Sequence, residues 1–186
     1  MVDQKKKFTE IFNKGLENDD IAITWALSNV PCYKGRYKEI IKSKEILFGY
    51  KDMVDGYGFS SISLTSGLAW WGVIGGERVS ELKMERYEMK EDYKRINEAL
   101  NGLNEICGWQ MGDFFNSLAI RVEYGVLNFL VNLCKISGIG KTHAFELYNM
   151  NIENLEDIKN NILKIEELEN ERLKDVVRKA LRYEIS

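Results

Sequence analysis

Hydrophobic residues recur at helical spacing along most of the chain, and alternating strand-like patterns do not persist beyond a few residues. Residues 5–27 fit two short helices separated at "ENDD", where Asp19 or Asp20 is the candidate N-cap of the second helix. Pro31 follows and is expected to stop that helix. Residues 33–55 again fit an amphipathic helix. These patterns predict an all-α protein.

The middle of the chain has one strong breaker region and one unusually apolar segment. "DGYGFSSISLTSG" is predicted to be a loop, and "LTSGLAWWGVIGGE" to be a helix in the centre of a bundle that Gly75 and Gly76 end. Of Trp70 and Trp71, one is expected in the core and the other at its rim. Residues 91–106 predict a helix with a basic first turn, interrupted by Gly102.

The segment "LCKISGIGKTHAFELYNMNI", residues 133–152, carries the clearest motif. Apolar residues at helical spacing flank a Gly-Ile-Gly turn, so each arm presents one apolar face to the other. The expected facing residues are Val126, Phe129, Leu130, Leu133 and Cys134 before the turn, and Ala144, Leu147 and Tyr148 after it. Because Gly138 and Gly140 permit positive φ and close backbone approach, the segment predicts a helix-hairpin-helix.

This hairpin offers a candidate site for a phosphate group. Backbone amides at the start of a helix, together with the positive end of its dipole, bind anions, and Lys141 adds a cation at the same place. The predicted contacts are Gly138, Ile139, Gly140, Lys141 and Thr142.

Two other interpretations of this turn stay open. "GIGKT" resembles the end of a nucleotide-binding P-loop, but that motif requires Gly five residues before Gly140, where Lys135 stands. The simpler alternative is a tight glycine turn that only joins two packed helices.

Composition adds limits to these predictions. A chain of 186 residues with 45% hydrophobic and 30% charged residues can bury a real core. We expect a helical bundle over residues 1–125 and a small helix-hairpin-helix domain over residues 126–186. The net charge of −3 does not indicate a nucleic-acid binder, so such binding requires a local basic patch.

Three scattered cysteines and a single histidine exclude the common zinc arrangements, and we expect no metal and no cofactor. No apolar run approaches the roughly 20 residues that span a bilayer. We therefore expect a reduced, cytoplasmic protein that has no membrane partner. The basic run Lys5, Lys6 and Lys7 is expected to be a solvated first turn or a frayed end, with a basic arm as the alternative.

Several segments, in order, carry a family resemblance. "GDFFNSLAIRVEYGVLNFLVNLCKISGIGKTHAFELYNMNIENLEDI" is similar to the end of the archaeal Ski2-like superfamily-two DNA helicases of the Hjm type. "WALSNVPCYKGRYKE", "LTSGLAWWGVIGGE" and "EDYKRINEALNGL" resemble, more loosely, the helical ratchet domain of that family. The resemblance implies single-stranded or branched DNA as a partner, with RNA as an alternative, and a role in DNA repair.

The motor motifs of that family, namely the Walker, DEAH and arginine-finger motifs, do not occur in this sequence. We therefore expect no ATPase activity. The chain is expected to be either a fragment of a helicase or a natural motorless relative, with motor domains acting in cis or in trans. The basic residue that the ratchet helix presents to the strand falls on Arg95, beside Lys94. The aromatic residue two turns later falls on Gly102 and is absent.

Three functions compete at this point. The first is a nucleic-acid-binding module that grips backbone phosphates and guides a single strand. The second is a protein-interaction scaffold of a helicase or Sec63-like assembly. The third is an enzyme with paired carboxylates such as Glu91-Asp92 and Glu156-Asp157, although such pairs at helix starts usually complement the dipole.

Overall fold

The computed structural model describes residues 2–28, 44–59, 64–75 and 83–183, and these residues are helical with no strand. The α-helices are α1 Val2–Asn13, α2 Asp20–Leu27, α3 Lys44–Gly56, α4 Leu64–Gly75, α5 Lys83–Cys107, α6 Gly112–Tyr124, α7 Val131–Cys134, α8 Lys141–Asn149, α9 Leu155–Asn160, α10 Ile162–Glu166 and α11 Glu171–Tyr183. A 3-10 turn, Asn128–Leu130, precedes α7. The all-α class predicted from the sequence is confirmed.

The chain divides into two compact units, Met1–Gly125 and Val126–Ser186. Gly125, at the end of the first unit, closes α6 in the left-handed conformation with φ of 62°. Glycine adopts that conformation without steric penalty, which explains why α6 stops there. Each unit has its own buried residues and is described separately below.

Helix α4 lies at the centre of the first unit and packs against α2, α3 and α6. Trp70 is fully buried, whereas Trp71 is only partly buried at the edge of the core, as predicted. Gly67 lets the ring of Tyr50 lie directly against α4, since a Cβ on Gly67 would come within 3.0 Å of its ring carbons. The Tyr50 hydroxyl hydrogen-bonds to Thr24 at 2.8 Å. Burial raises the pKa of Tyr50 far above its usual range, so its hydroxyl stays protonated.

A second part of this core is aromatic. The rings of α1 and of the segment around the start of α6 contact one another in mostly edge-on or tilted pairs with centroids 5.0 to 6.5 Å apart. Such geometries suit the quadrupoles of the rings and add stability beyond burial alone. The cluster consists of Phe8, Phe12, Trp109, Phe114 and Phe115.

Helix α2 starts at one of the two predicted N-cap positions. The Asp19 carboxylate accepts a hydrogen bond from the Ala22 amide at 2.9 Å, so Asp19 is the cap and Asp20 is the first helical residue. An N-cap of this kind is typically worth about 1 kcal/mol. The helix ends at Leu27; Pro31 and residues 33–43 of the next predicted helix lie outside the described residues, as do 60–63 of the predicted loop and Gly76.

Arg121 of α6 is a buried charged residue that the spacing of apolar residues did not predict. Its side chain is 2% exposed and donates a hydrogen bond to Asp20 Oδ1 at 2.6 Å. A longer contact of 3.4 Å reaches the carbonyl of Ile74 near the end of α4. The guanidinium therefore joins an acidic residue at the start of α2 to a carbonyl at the end of α4, and both helix ends favour the charge placed on them.

Lys7 corrects the prediction for the basic run. Lys5 and Lys6 are exposed, but Lys7 is 3% exposed and donates to the carbonyl of Trp25 at 3.2 Å. Its ammonium also lies 5.0 Å from the centroid of the Trp25 ring and 3.6 Å from Asp3. The basic run is therefore not fully solvated. Its third lysine, Lys7, lies on the side of α1 that packs against α2.

Helix α5 corrects a second prediction. It runs unbroken from Lys83 to Cys107, so Gly102 lies inside the helix and does not interrupt it. Tyr93 and Leu100 are buried, as the predicted apolar face requires. Glu91 and Asp92 are not at a helix start. They form ion pairs with Lys94 and Arg95 along the same helix, at 2.7 and 3.2 Å.

The second unit contains the segment from the 3-10 turn to α11. Asn154 caps α9 by accepting a hydrogen bond from the Asp157 amide at 3.0 Å. Asn151 has φ of 60°, just after α8. Helix α11 is amphipathic and buries Leu173, Val177 and Ala180.

Within the described ranges no single helix is long and apolar enough to cross a membrane. Among these residues, one bent pair of helical segments is long and apolar enough when its members are joined: Gly112–Tyr124 and Asn128–Cys134.

The Arg121–Asp20 ion pair gives a stability prediction. We expect Asp20→Asn to lower the free energy of unfolding of the first unit by about 3 kcal/mol, because it leaves a buried guanidinium without its counter-charge. Glu10→Gln, which breaks the exposed Lys14–Glu10 pair, is the control and should cost less than about 1 kcal/mol. Urea titration followed by tryptophan fluorescence reports the first unit alone, since all 4 tryptophans lie in it. Equal costs for the two variants would contradict the prediction.

Candidate nucleic-acid interface

The predicted hairpin turn connects α7 to α8 by a tight, internally hydrogen-bonded path. The Ile136 amide donates to the carbonyl of Leu133 and the Ile139 amide to the carbonyl of Ile136, both at 3.0 Å. The Ile139 side chain is fully buried. The Ile139 amide therefore already has an acceptor within the turn, and its side chain belongs to the core.

The arm before the turn is shorter than predicted. Only the 3-10 turn and the four residues of α7 are helical there, and Val126 precedes both. Leu130, Leu133 and Cys134 are buried as expected. Burial raises the pKa of the Cys134 thiol to about 11, so it stays protonated and is a poor nucleophile near neutral pH.

Gly138 has the positive φ that the motif predicted, at 85°. It is also close to α11, because a Cβ at this position would lie 3.2 Å from Val176 Cγ1. Two independent constraints therefore select glycine here: the left-handed backbone and the neighbouring side chain.

Gly140 differs from Gly138. It has φ of −93° and ψ of −177°, which is extended backbone that any residue adopts, so the prediction of positive φ at Gly140 is wrong. Gly140 is the N-cap of α8 and its carbonyl accepts from the Ala144 amide at 2.9 Å. Since glycine has no side-chain oxygen, the first amides of α8 are not capped by it.

Lys141 and Thr142 form the first turn of α8, beside those amides. Thr142 is exposed and Lys141 partly exposed. The amides at Lys141, Thr142 and His143 precede the first intrahelical hydrogen bond of α8, and this is the arrangement in which a helix start binds an anion. Of the predicted contacts, Lys141 and Thr142 thus lie at the start of the helix, and His143 is an additional residue there.

Lys94 and Arg95 lie in the other unit, on the exposed side of α5. The Arg95 side chain is 80% exposed and, among the described residues, pairs with Asp92, a neighbour on its own helix. Two turns further along, Gly102 faces open space: a Cβ there would meet no other described atom within 4 Å. The position at which the resemblance expects an aromatic ring therefore has room for a Cβ.

The second unit has an exposed group of aromatic rings that helical periodicity did not predict. Phe129 and Tyr148 were assigned to the buried faces of the hairpin, but Phe129 is 41% exposed and stacks on Tyr148 with centroids 4.4 Å apart. Phe145 is 51% exposed and was not assigned. Its position between Ala144 and Leu147, off the buried register, is the signal that could have identified it.

Within the part of the chain that the structure describes, no group of three or more His, Cys, Asp or Glu side chains could hold a metal ion. Some carboxylates there pair with basic side chains. Glu166 accepts a hydrogen bond from Arg178, which lowers the pKa of Glu166.

Part of the chain is similar in sequence to a known helicase. Part of this chain is 34% identical over 88 residues to the ATP-dependent DNA helicase Hel308 of Methanocaldococcus jannaschii. The similar stretch is 47% of this chain and 7% of that helicase. No protein-family profile and no solved structure matches the chain. The chain thus contains a helicase-related region and spans a small fraction of the relative's length.

The two glycines of the turn give a paired prediction. We expect Gly138→Ala to destabilise the second unit by about 1–2 kcal/mol, because alanine is strained at positive φ and its Cβ presses on Val176. Gly140→Ser should change stability by less than about 0.5 kcal/mol, since its backbone is extended and serine is a good N-cap. Thermal unfolding by circular dichroism, with tryptophan fluorescence as a check on the first unit, measures both. Equal losses would show that the turn does not discriminate between the two positions.

Proposed function

We propose that this protein is a nucleic-acid-binding accessory module that resembles the terminal part of a Ski2-like DNA helicase of the Hjm type. In it, a helix-hairpin-helix grips backbone phosphates without reading sequence. The observation that carries the proposal is the start of α8, where the tight turn at Gly138 leads into a helix that Gly140 gives no side-chain cap and that has Lys141 in its first turn. The similarity of part of the chain to a DNA helicase supports the same conclusion.

The chemistry of this turn suits a phosphate better than it suits a base. Amides and an ammonium group offer only donors and positive charge, which phosphate oxygens accept and which carry no sequence information. The chain as a whole is acidic, so contact depends on this local arrangement and not on a general attraction.

In the first unit, the role we propose for Arg95 and Lys94 is to guide a single strand along α5. Both side chains are exposed, and their partners Asp92 and Glu91 are neighbours on the same helix that a phosphate can replace. Gly102 supplies no ring, so this contact is electrostatic and lacks base stacking, which is worth about 1–3 kcal/mol per base.

The proposal does not include a motor. Since the sequence has no Walker motif, any strand movement needs helicase motor domains, supplied in cis or in trans. DNA, single-stranded or branched, is the proposed partner because the similar protein is a DNA helicase. RNA is the alternative.

A protein-interaction scaffold is the second candidate function. The observation that favours it is the exposure of large apolar side chains in the second unit, including Leu127, Phe129 and Phe145. Salt separates the two candidates, because phosphate binding weakens steeply with ionic strength and apolar docking does not.

Lys141 provides the direct test of phosphate binding. We expect Lys141→Ala to weaken binding to single-stranded oligonucleotides about equally for all sequences, and to lower the logarithmic salt slope by about 1. Lys164→Ala, which removes the same charge from an exposed position on α10, is the matched control and should change neither quantity. Fluorescence anisotropy at a series of salt concentrations measures both.

Absence of salt-sensitive binding by the parent chain would contradict the proposed function and favour the scaffold. An unchanged slope in Lys141→Ala would contradict the assignment of the phosphate site to α8.

Arg95 gives a second and independent test. Arg95→Ala should weaken binding of single strands several-fold, by up to about 1 kcal/mol given the exposure of the site, while leaving duplex binding unchanged. Arg172→Ala, at an exposed position of α11, is the matched control. Competition between labelled single strands and unlabelled duplex measures the selectivity. Equal weakening of single-strand and duplex binding would remove α5 from the proposed strand path.

A further inference from the structure

Helix α8 carries a cation and two rings along one face. Lys141, Phe145 and Tyr148 are spaced by four and three residues, so they project from the same side of the helix. The buried face of α8 is formed by Ala144 and Leu147 instead. The Phe145 ring is therefore not required to fill the core, and about half of it faces solvent.

Phe129 extends this surface from outside the helix. It lies in the 3-10 turn before α7, and its ring contacts that of Tyr148 at a centroid distance of 4.4 Å and an interplanar angle of 37°. The two arms of the hairpin thus join their rings on the side that bears Lys141. We call Phe129, Phe145 and Tyr148 the aromatic platform.

The dimensions of the helix set the distances between the charge and the rings. At 1.5 Å per residue, Phe145 and Tyr148 lie about 6 and 10 Å along the axis from Lys141. A phosphate held at the start of α8 would therefore have rings within reach of the neighbouring bases of the same strand.

The charge on this face also suits a nucleic acid. None of the three α8 residues on it is acidic. The acidic residue of α8, Glu146, projects from another side, where it accepts a hydrogen bond from Asn170 Nδ2 at 2.8 Å. The face therefore combines positive charge from Lys141 and the helix dipole with exposed π-surfaces, which is the composition of sequence-tolerant single-strand binding sites.

We propose that the aromatic platform stacks unpaired bases of the single strand whose phosphates bind at the start of α8. This inference rests on the proposed function and adds a base-binding role for the second unit. It assigns to Phe145 and to the Phe129–Tyr148 pair the stacking that Gly102 of α5 cannot provide. Duplex DNA offers no exposed base faces, so the platform favours single strands.

The test compares two oligonucleotides of equal length, one of thymidines and one whose central nucleotides are abasic. Their phosphates are the same, so any difference in affinity reports the bases. We expect the parent chain to prefer the thymidine strand, and Phe145→Leu to weaken that strand on the order of 5-fold or more while leaving abasic binding unchanged. The logarithmic salt slope should not change in Phe145→Leu, in contrast to Lys141→Ala.

Phe48→Leu is the matched control, because Phe48 is an equally exposed phenylalanine of the first unit, and it should have no effect. Tyr148→Leu is a second platform variant, and circular dichroism checks that each variant is folded. Equal affinity of the parent for both strands, or equal effects of Phe145→Leu and Phe48→Leu, would overturn the platform while the phosphate site stands. A change in oligomeric state on Phe145→Leu, with unchanged strand affinity, would show that a second copy covers the rings and would also overturn it.

Discussion

The guanidinium of Arg121 is the constraint on which the first unit depends. A charge that is 2% exposed is tolerated only with a counter-charge and with acceptors for its hydrogens. Asp20 supplies the first and the carbonyl of Ile74 the second. Because these groups belong to α2 and α4, an arrangement of α6 that separated them would deprive the buried guanidinium of both contacts. The ion pair thus selects one packing of three helices among the many that hydrophobic contact alone would allow.

In the second unit, the equivalent constraint is steric and acts on the backbone. Gly138 must be left-handed and must lie close to Val176 of α11, so the turn is fixed from two directions. Fixing the turn also fixes where α8 begins. Defined positions follow for the first amides of α8, for Lys141 and for the face with Phe145. One short helix can therefore combine charge and aromatic surface.

Much of this architecture could be predicted from local patterns. The spacing of apolar residues located many of the helices, and the cap at Asp19 was one of two candidates whose side chains can accept nearby amides. Periodicity could not tell which charged residues face inward. The partner of Arg121 is 101 positions away in the sequence, and Lys7 looks like any residue of a solvated basic run. The prediction that Phe129 is buried was wrong for the opposite reason. Helical spacing indicated burial, but the chain forms a 3-10 turn there and the ring is 41% exposed.

Gly102 has a consequence for how α5 could be altered. Its backbone is ordinary helix, and no described neighbour would be displaced by a side chain there. Glycine within a helix costs about 1 kcal/mol relative to alanine, so neither packing nor helix stability requires it. Position 102 is therefore a graft point on the side of α5 that bears Arg95, where alanine fits without displacing a described neighbour.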